Sequence, residues 1–291
     1  MHLEGFKQLG VNIVEEYGKI TCECEKLIAA DITLDFPSVG ATENLMLASC
    51  MAEGTTIIRN VAREPEIRDL QDFLNEMGAE INGAGSNTIV IKGVDKLHQV
   101  SHKVIPDRIE AGTYLCIAAS TQSNIVLKNV IPEHIASTMH KLRQTGNKID
   151  ARKNEISIHP PHILLPTNIK TMPYPGFPTD MQSQFSAMLA IANGTSIVVE
   201  TIFENRFKYV NELIRMGANI TVEGRSAIIQ GVKILNGATL ETKDLRGGAA
   251  LIIAALSAQG ESTITGIHFL ERGYENFVKK LQLIGAKIEK K

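Results

Sequence analysis

The sequence has no tryptophan, only four cysteines in 291 residues, and no apolar run long enough to span a bilayer. These absences narrow the field. A transmembrane helix is excluded, and four cysteines do not make a disulfide framework in a chain of this length. Cys22 and Cys24 lie two apart in ITCECE, an alternating pattern that puts both on one face of a strand. That spacing is too short for a zinc ribbon and no histidine flanks it, so the pair is read as reduced thiols of a cytosolic protein, with no metal. His2-Leu3-Glu4-Gly5 follows Met1 without a basic or apolar leader, so the sequence carries no secretory signal. The formal net charge of -2 gives no general affinity for polyanions, which argues against nucleic acid as a partner. Hydrophobic residues at 44% and charged residues at 21% describe an ordinary globular chain, long enough for one large domain or two of medium size.

What is present is a repeat. Five times a short apolar helix runs into a glycine and then a strand: FKQLGVNI, FLNEMGAEI, KLRQTGNKI, LIRMGANI and LQLIGAKI. The glycines are Gly10, Gly78, Gly146, Gly217 and Gly285, a nearly constant period of about 70 residues. Glycine suits the left-handed position that closes a helix, where a Cβ is penalised. Other elements hold a fixed phase in this period. Turns at Phe36, Pro106, Phe177 and Lys243 lead into apolar helices, and β-branched strands such as TTIIRNV and TSIVVETI follow. Then comes an amphipathic helix; in Glu66 to Met77 the residues Ile67, Leu70, Phe73, Leu74 and Met77 recur three or four apart. Each unit therefore reads βαβαββ, an α/β pattern with helices buried against sheets. The chain enters the period at a unit's second helix, so residues 1–35 read as the tail of a unit without its head.

One stretch stands apart, PGFPTDMQSQ from Pro175 to Gln184. Pro173, Pro175 and Pro178 deny the backbone regular pairing and push their preceding residues toward extended conformations. A helix can begin only after Pro178, which places Thr179 or Asp180 at its cap. Free N–H groups at such a start attract anions, and the proline-braced loop holds the Asp180 carboxylate at a fixed point.

The strings LDFPSVGATEN, AREPEI, IPDRIEAGT, TMPYPGFPTDMQSQ, ETIFENRF, KDLR and LERGYENF resemble the UDP-N-acetylglucosamine enolpyruvyl transferases, and the resemblance runs from His2 to the end. It implies an inside-out α/β barrel in two domains: residues 1–105 as the remainder of the first and residues 106–291 as the second, with three units. It implies transfer of the enolpyruvyl group of phosphoenolpyruvate to the 3-hydroxyl of UDP-N-acetylglucosamine with release of phosphate, a cytoplasmic step of peptidoglycan synthesis that needs no cofactor.

Residue by residue, Asp180 matches the position that contacts the sugar hydroxyl and takes the role of proton transfer. Arg246 in KDLR and Arg272 in ERGY match the arginines that grip phosphoenolpyruvate, for which a planar guanidinium fork is suited. The alternative for each is a surface ion pair with Asp244 or Glu271. Ser38, Val39 and Gly40 match a backbone segment along the uridine diphosphate. Ile202, Arg206 and Asp244 line the sugar-nucleotide site. Asp107 and Arg108, at the equivalent turn, read as structural ahead of functional. His98, His102 and His134 show no partner spacing and receive no role.

A complete member of the family has ~100–125 further residues before His2 at this repeat length. They carry a Lys-Asn pair, a substrate-contacting arginine and a loop with a reactive cysteine, none of which Cys22, Cys24, Cys50 or Cys116 matches. The expectations are that Leu3, Phe6 and Leu9 lack part of their covering sheet, that residues before about 105 are frayed, and that the chain alone does not turn over. The alternatives are a non-catalytic remnant that binds nucleotide or a partner chain, and the sibling enzyme acting on shikimate 3-phosphate; FPTDMQSQ, ENRF and SVGATEN favour the sugar nucleotide.

Overall fold

The structure, a computed structural model, describes residues 1–290. The chain divides into two compact units, one of Met1–Ile105 with Pro173–Pro175 and one of Pro106–Met172 with Gly176–Lys291. No helix among the described residues is long and apolar enough to cross a membrane.

The first unit opens with α1 (His2–Gln8) and an antiparallel hairpin of β1 (Asn12–Glu16) and β2 (Lys19–Glu23), which pairs with no third strand among the described residues. One whole unit of the repeat follows: β3 (Asp31–Thr33), α2 (Val39–Ser49), β4 (Thr55–Arg59), α3 (Pro65–Glu76), β5 (Glu80–Asn82) and β6 (Thr88–Lys92). Its sheet has the order β3-β4-β6-β5, parallel at β3–β4 and antiparallel elsewhere. Alternate residues Ile32, Ile58, Ile89 and Ile91 face the core and are fully buried, which fixes the register. Gly5 lets α1 approach α2, since a Cβ there would stand 2.6 Å from Leu45 Cδ2.

The second unit is built around three helices: α4 (Arg108–Ser120), α6 (Gln182–Leu189) and α8 (Leu245–Ser257). Ile109, every residue of α4 from Ala111 to Ser120 and every residue of α6 are buried. Their apolar residues run right round the helix, as burial on all sides requires. The sheets lie outside this triad. β7 (Ile125–Lys128), β8 (Lys148–Arg152) and β9 (Glu155–His159) form a three-stranded sheet, with α5 (Ala136–Gln144) leading into it. β10 (Ile169–Lys170), β11 (Thr195–Val199), β12 (Asn219–Glu223) and β13 (Ser226–Gln230) repeat the first unit's topology as β10-β11-β13-β12, with α7 (Val210–Arg215) between β11 and β12. β14 (Thr239–Glu241) and β15 (Thr263–Thr265) pair in parallel, and α9 (Phe277–Leu283) ends the series. Helices inside and sheets outside are the inside-out arrangement anticipated from the resemblance.

All five repeat glycines have positive φ, between 88° and 100°, the left-handed closure expected of them. Three expectations need correction. Gly285 is not followed by a strand: residues 286–290 pair with nothing regular. Of the three copies expected in the second unit, only the β10–β13 copy is whole; the one before it lacks a first strand, and the one after it ends at α9. Leu9 is fully buried, and Phe6 packs against the same core, because α2 and the residues after the hairpin cover α1.

Candidate active site

The prolines act as expected, but the cap does not. Thr179–Met181 forms a single 3-10 turn after Pro178, and neither Thr179 nor Asp180 caps α6 with its side chain. The Asp180 carboxylate turns instead to two arginines. Oδ1 accepts from Arg206 Nη2, and Oδ2 accepts from Arg246 Nη2 at 3.1 Å. Arg206 also donates to the Thr179 carbonyl at 3.2 Å, and its guanidinium lies 4.9 Å over the Phe203 ring. The two arginine side chains are only 10% and 14% exposed, while the carboxylate is 41% exposed. The cations are therefore fixed from behind, and the acid faces outward. Burial pushes the Asp180 carboxyl up, but Arg246 and then Arg206 outweigh it and hold the group below the usual carboxylate range.

Behind this trio runs a polar seam through the helix triad. The Tyr274 hydroxyl meets Thr113 Oγ1 at 2.8 Å, takes a bond from Gln184 Nε2 at 3.3 Å, and lies 3.5 Å from Arg246 Nη1. Its ring lies 5.8 Å from the same guanidinium. Tyr209 donates to Ser186 Oγ at 2.8 Å, and burial pushes its own ionisation up. These bonds join Thr113 of α4, Gln184 and Ser186 of α6 and Arg246 of α8 behind the Asp180 cluster. Two guanidiniums against one carboxylate leave a positive surplus that makes the locality attractive to anions. Two buried donors, Arg206 Nε and Gln182 Nε2, find no partner among the described residues. Beside Arg206 opens a cleft of about 480 Å³, lined by Phe203, Glu204, Phe207 and Arg225 among others.

The other anticipated residues fall as follows. Asp244 caps α8, accepting from Gly247 N at 2.8 Å. It does not pair with Arg246, and Glu271 is taken by Lys290, so neither expected surface ion pair forms. Arg272 is exposed and is not brought to the Asp180 cluster. Ile202 is half-buried, its N–H given to Glu200 Oε1 at 2.9 Å. Ser38 caps α2, with Val39 and Gly40 in its first turn. Asp107 caps α4 through Ile109 N and Glu110 N, in line with a structural reading.

Sequence reasoning missed Glu200, Gln184, Tyr209 and Tyr274, and gave Thr179 only a helix cap. One signal was available: Gln182, Gln184 and Ser186 are polar residues inside an otherwise apolar helix, and buried polar groups need partners.

Residues 1–281 match the family model described as EPSP synthase (3-phosphoshikimate 1-carboxyvinyltransferase). Among solved structures, the chain superposes on the enolpyruvyl transferase NikO from Streptomyces tendae with a TM-score of 0.89 and 27% identity, over 99% of this chain and 71% of that one. An EPSP synthase from Acinetobacter baumannii shares the fold at a TM-score of 0.73 and 22% identity, over 99% of this chain and 70% of that one. The fold is thus that of an enolpyruvyl transferase. A UDP-N-acetylglucosamine 1-carboxyvinyltransferase from Carboxydothermus hydrogenoformans is 54% identical over 290 residues, covering 100% of this chain and 69% of the relative. Another, from Caldanaerobacter subterraneus subsp. tengcongensis, is 52% identical over 292 residues, covering 99% and 69%. The chain belongs to the UDP-N-acetylglucosamine 1-carboxyvinyltransferase family of enolpyruvyl transferases.

Proposed function

We propose that this protein takes part in transferring the enolpyruvyl group of phosphoenolpyruvate to the 3-hydroxyl of UDP-N-acetylglucosamine, releasing phosphate, as a cytoplasmic step of peptidoglycan and cell-wall synthesis. The observation that carries the reading is the Asp180 carboxylate held between Arg206 and Arg246. A carboxylate kept ionised and partly open can accept the proton of an attacking hydroxyl. The arginines fix its orientation and leave a positive surplus that favours the phosphate and carboxylate of the donor. Ser38, Val39 and Gly40 are assigned to the diphosphate, Ile202, Arg206 and Asp244 to the sugar nucleotide, and Arg272 to phosphoenolpyruvate, its exposed guanidinium being free to meet an anion. The domain division at 105/106 is part of the same reading, as is action without cofactor, metal or nucleic acid.

The test is phosphate release from phosphoenolpyruvate with UDP-N-acetylglucosamine as acceptor, alongside calorimetric titration of the sugar nucleotide. In a full-length context, release that requires UDP-N-acetylglucosamine is expected. Asp180→Asn should abolish nearly all of it while the sugar nucleotide still binds, because an amide cannot take the proton at neutral pH. Release driven by shikimate 3-phosphate instead, or undiminished turnover by the Asn variant, overturns the assignment.

A further inference from the structure

The most heavily engaged buried acid in the second unit is Glu200, which no step of the proposed chemistry uses. It follows β11 directly and is 1% exposed. A buried carboxylate is costly unless its lone pairs are filled, and here they are. Oε1 accepts from Thr171 Oγ1 at 2.8 Å and from the N–H groups of Ile202 and Phe203 at 2.9 Å each. Oε2 accepts from Thr179 Oγ1 at 2.8 Å. One side chain thereby ties three segments: the end of β10, the loop leading to Arg206, and the turn carrying Asp180. The loop and the turn then meet again on the far side. Phe203, whose N–H is held by Glu200, lies under the Arg206 guanidinium, and Arg206 bonds both the Thr179 carbonyl and Asp180.

A second observation concerns Thr179 alone. At the corresponding turns of the repeat, Ser38, Asp107 and Asp244 each cap their own helix through the side chain. Thr179, at the fourth, does not cap; its hydroxyl points to Glu200. The departure occurs in the copy that bears the carboxylate.

We infer that Glu200 is a positioning residue for proton transfer, acting through Thr179 and the Ile202–Phe203 loop to hold Asp180 and Arg206 in register. The inference rests on the role given above to Asp180. Glu200 touches no reacting atom; it sets where the carboxylate sits relative to its arginines. Thr179 divides the two arms of the clamp. Thr179→Val removes only the bond to Oε2 and leaves the loop arm in place, whereas Thr179→Ser keeps the hydroxyl.

The experiment is a carbon NMR titration of the protein labelled at aspartate carboxyl carbons, with Asp180→Asn identifying the resonance. The Asp180 midpoint in Thr179→Val should rise by about one pH unit, a tenfold loss in its preference for the ionised form, while Thr179→Ser titrates as the wild type does. In turnover, Thr179→Val should lower kcat by roughly tenfold to a hundredfold, the scale of a misplaced catalytic group. Both KM values should change by less than kcat does, because the loop arm that carries Ile202 and leads to Arg206 stays bonded to Oε1. An Asp180 midpoint in Thr179→Val equal to that of the wild type overturns the inference, as does a variant that loses thermal stability alone. If Thr179→Val does not fold, the near-isosteric Glu200→Gln is titrated in its place and read by the same criterion. If the wild type in a full-length context shows no sugar-nucleotide-dependent phosphate release, the functional reading fails, and the titration still decides whether Glu200 positions Asp180.

Discussion

A carboxylate backed by two buried guanidiniums differs from one on an open surface, because the cations are already desolvated and cannot relax away from it. The resemblance singled out Asp180 and both partners, but not that they meet, since contact between residues so far apart in sequence follows from how helices stack. His102 shows the opposite failure. No spacing in the sequence gave it a role, yet its ring bridges Asp69 Oδ1 and Glu76 Oε2, each at 3.0 Å, and tilts against Phe73. Asp69 and Glu76 lie on one face of α3 while His102 arrives from the segment after β6, so only tertiary structure joins them. Bonds to Asp69 and then Glu76 raise the imidazole above its ordinary pKa. The stability contributed is therefore complete below about pH 6.5, the ordinary imidazole value, and is lost as pH rises through the raised value. In urea denaturation, the stability difference between the wild type and His102→Gln should be larger at acidic than at alkaline pH. A difference that does not vary with pH would show that the ring acts by packing alone.

At the scale of elements, the sequence conveyed types better than ends. Period and glycine phase defined the helices and strands, because an amphipathic helix such as α3 records its buried face in its own residues. The cap at Thr179 misled for a physical reason: a threonine after proline has the local chemistry to cap, but Glu200 offers its hydroxyl a stronger, charged acceptor. Helix contacts were also silent in the sequence. Gly112 of α4 faces the Asp180 turn so closely that a Cβ would stand 2.8 Å from Met181 Sδ. Gly112→Val should cost about 1–3 kcal/mol, the range for overpacking a filled core. Adding Met181→Ala should recover part of that loss, which a double-mutant cycle by urea denaturation would measure. Additive losses would place the strain elsewhere.

At the scale of the whole molecule, protection should follow coverage. The β1–β2 hairpin is exposed on both faces, with Val14 at 42% and Ile20 at 51%. It should exchange its amide hydrogens far sooner than α4, α6 and β11, which sit in the packed second unit. Equal protection of the hairpin and the helix triad would contradict this. Leu9, by contrast, is buried and should be slow, so fraying of the first unit is expected to be confined to the hairpin rather than spread over everything before residue 105. The four turns that precede α2, α4, α6 and α8 have a consequence of their own. They are approximate internal replicas, and only one of them has given up its cap. The protein thus supplies its own reference: a substitution that harms Asp107, the cap with no part in binding, reports what the turn architecture needs. The excess harm at Thr179 reports what chemistry has added, and the two can be separated by subtraction within one polypeptide.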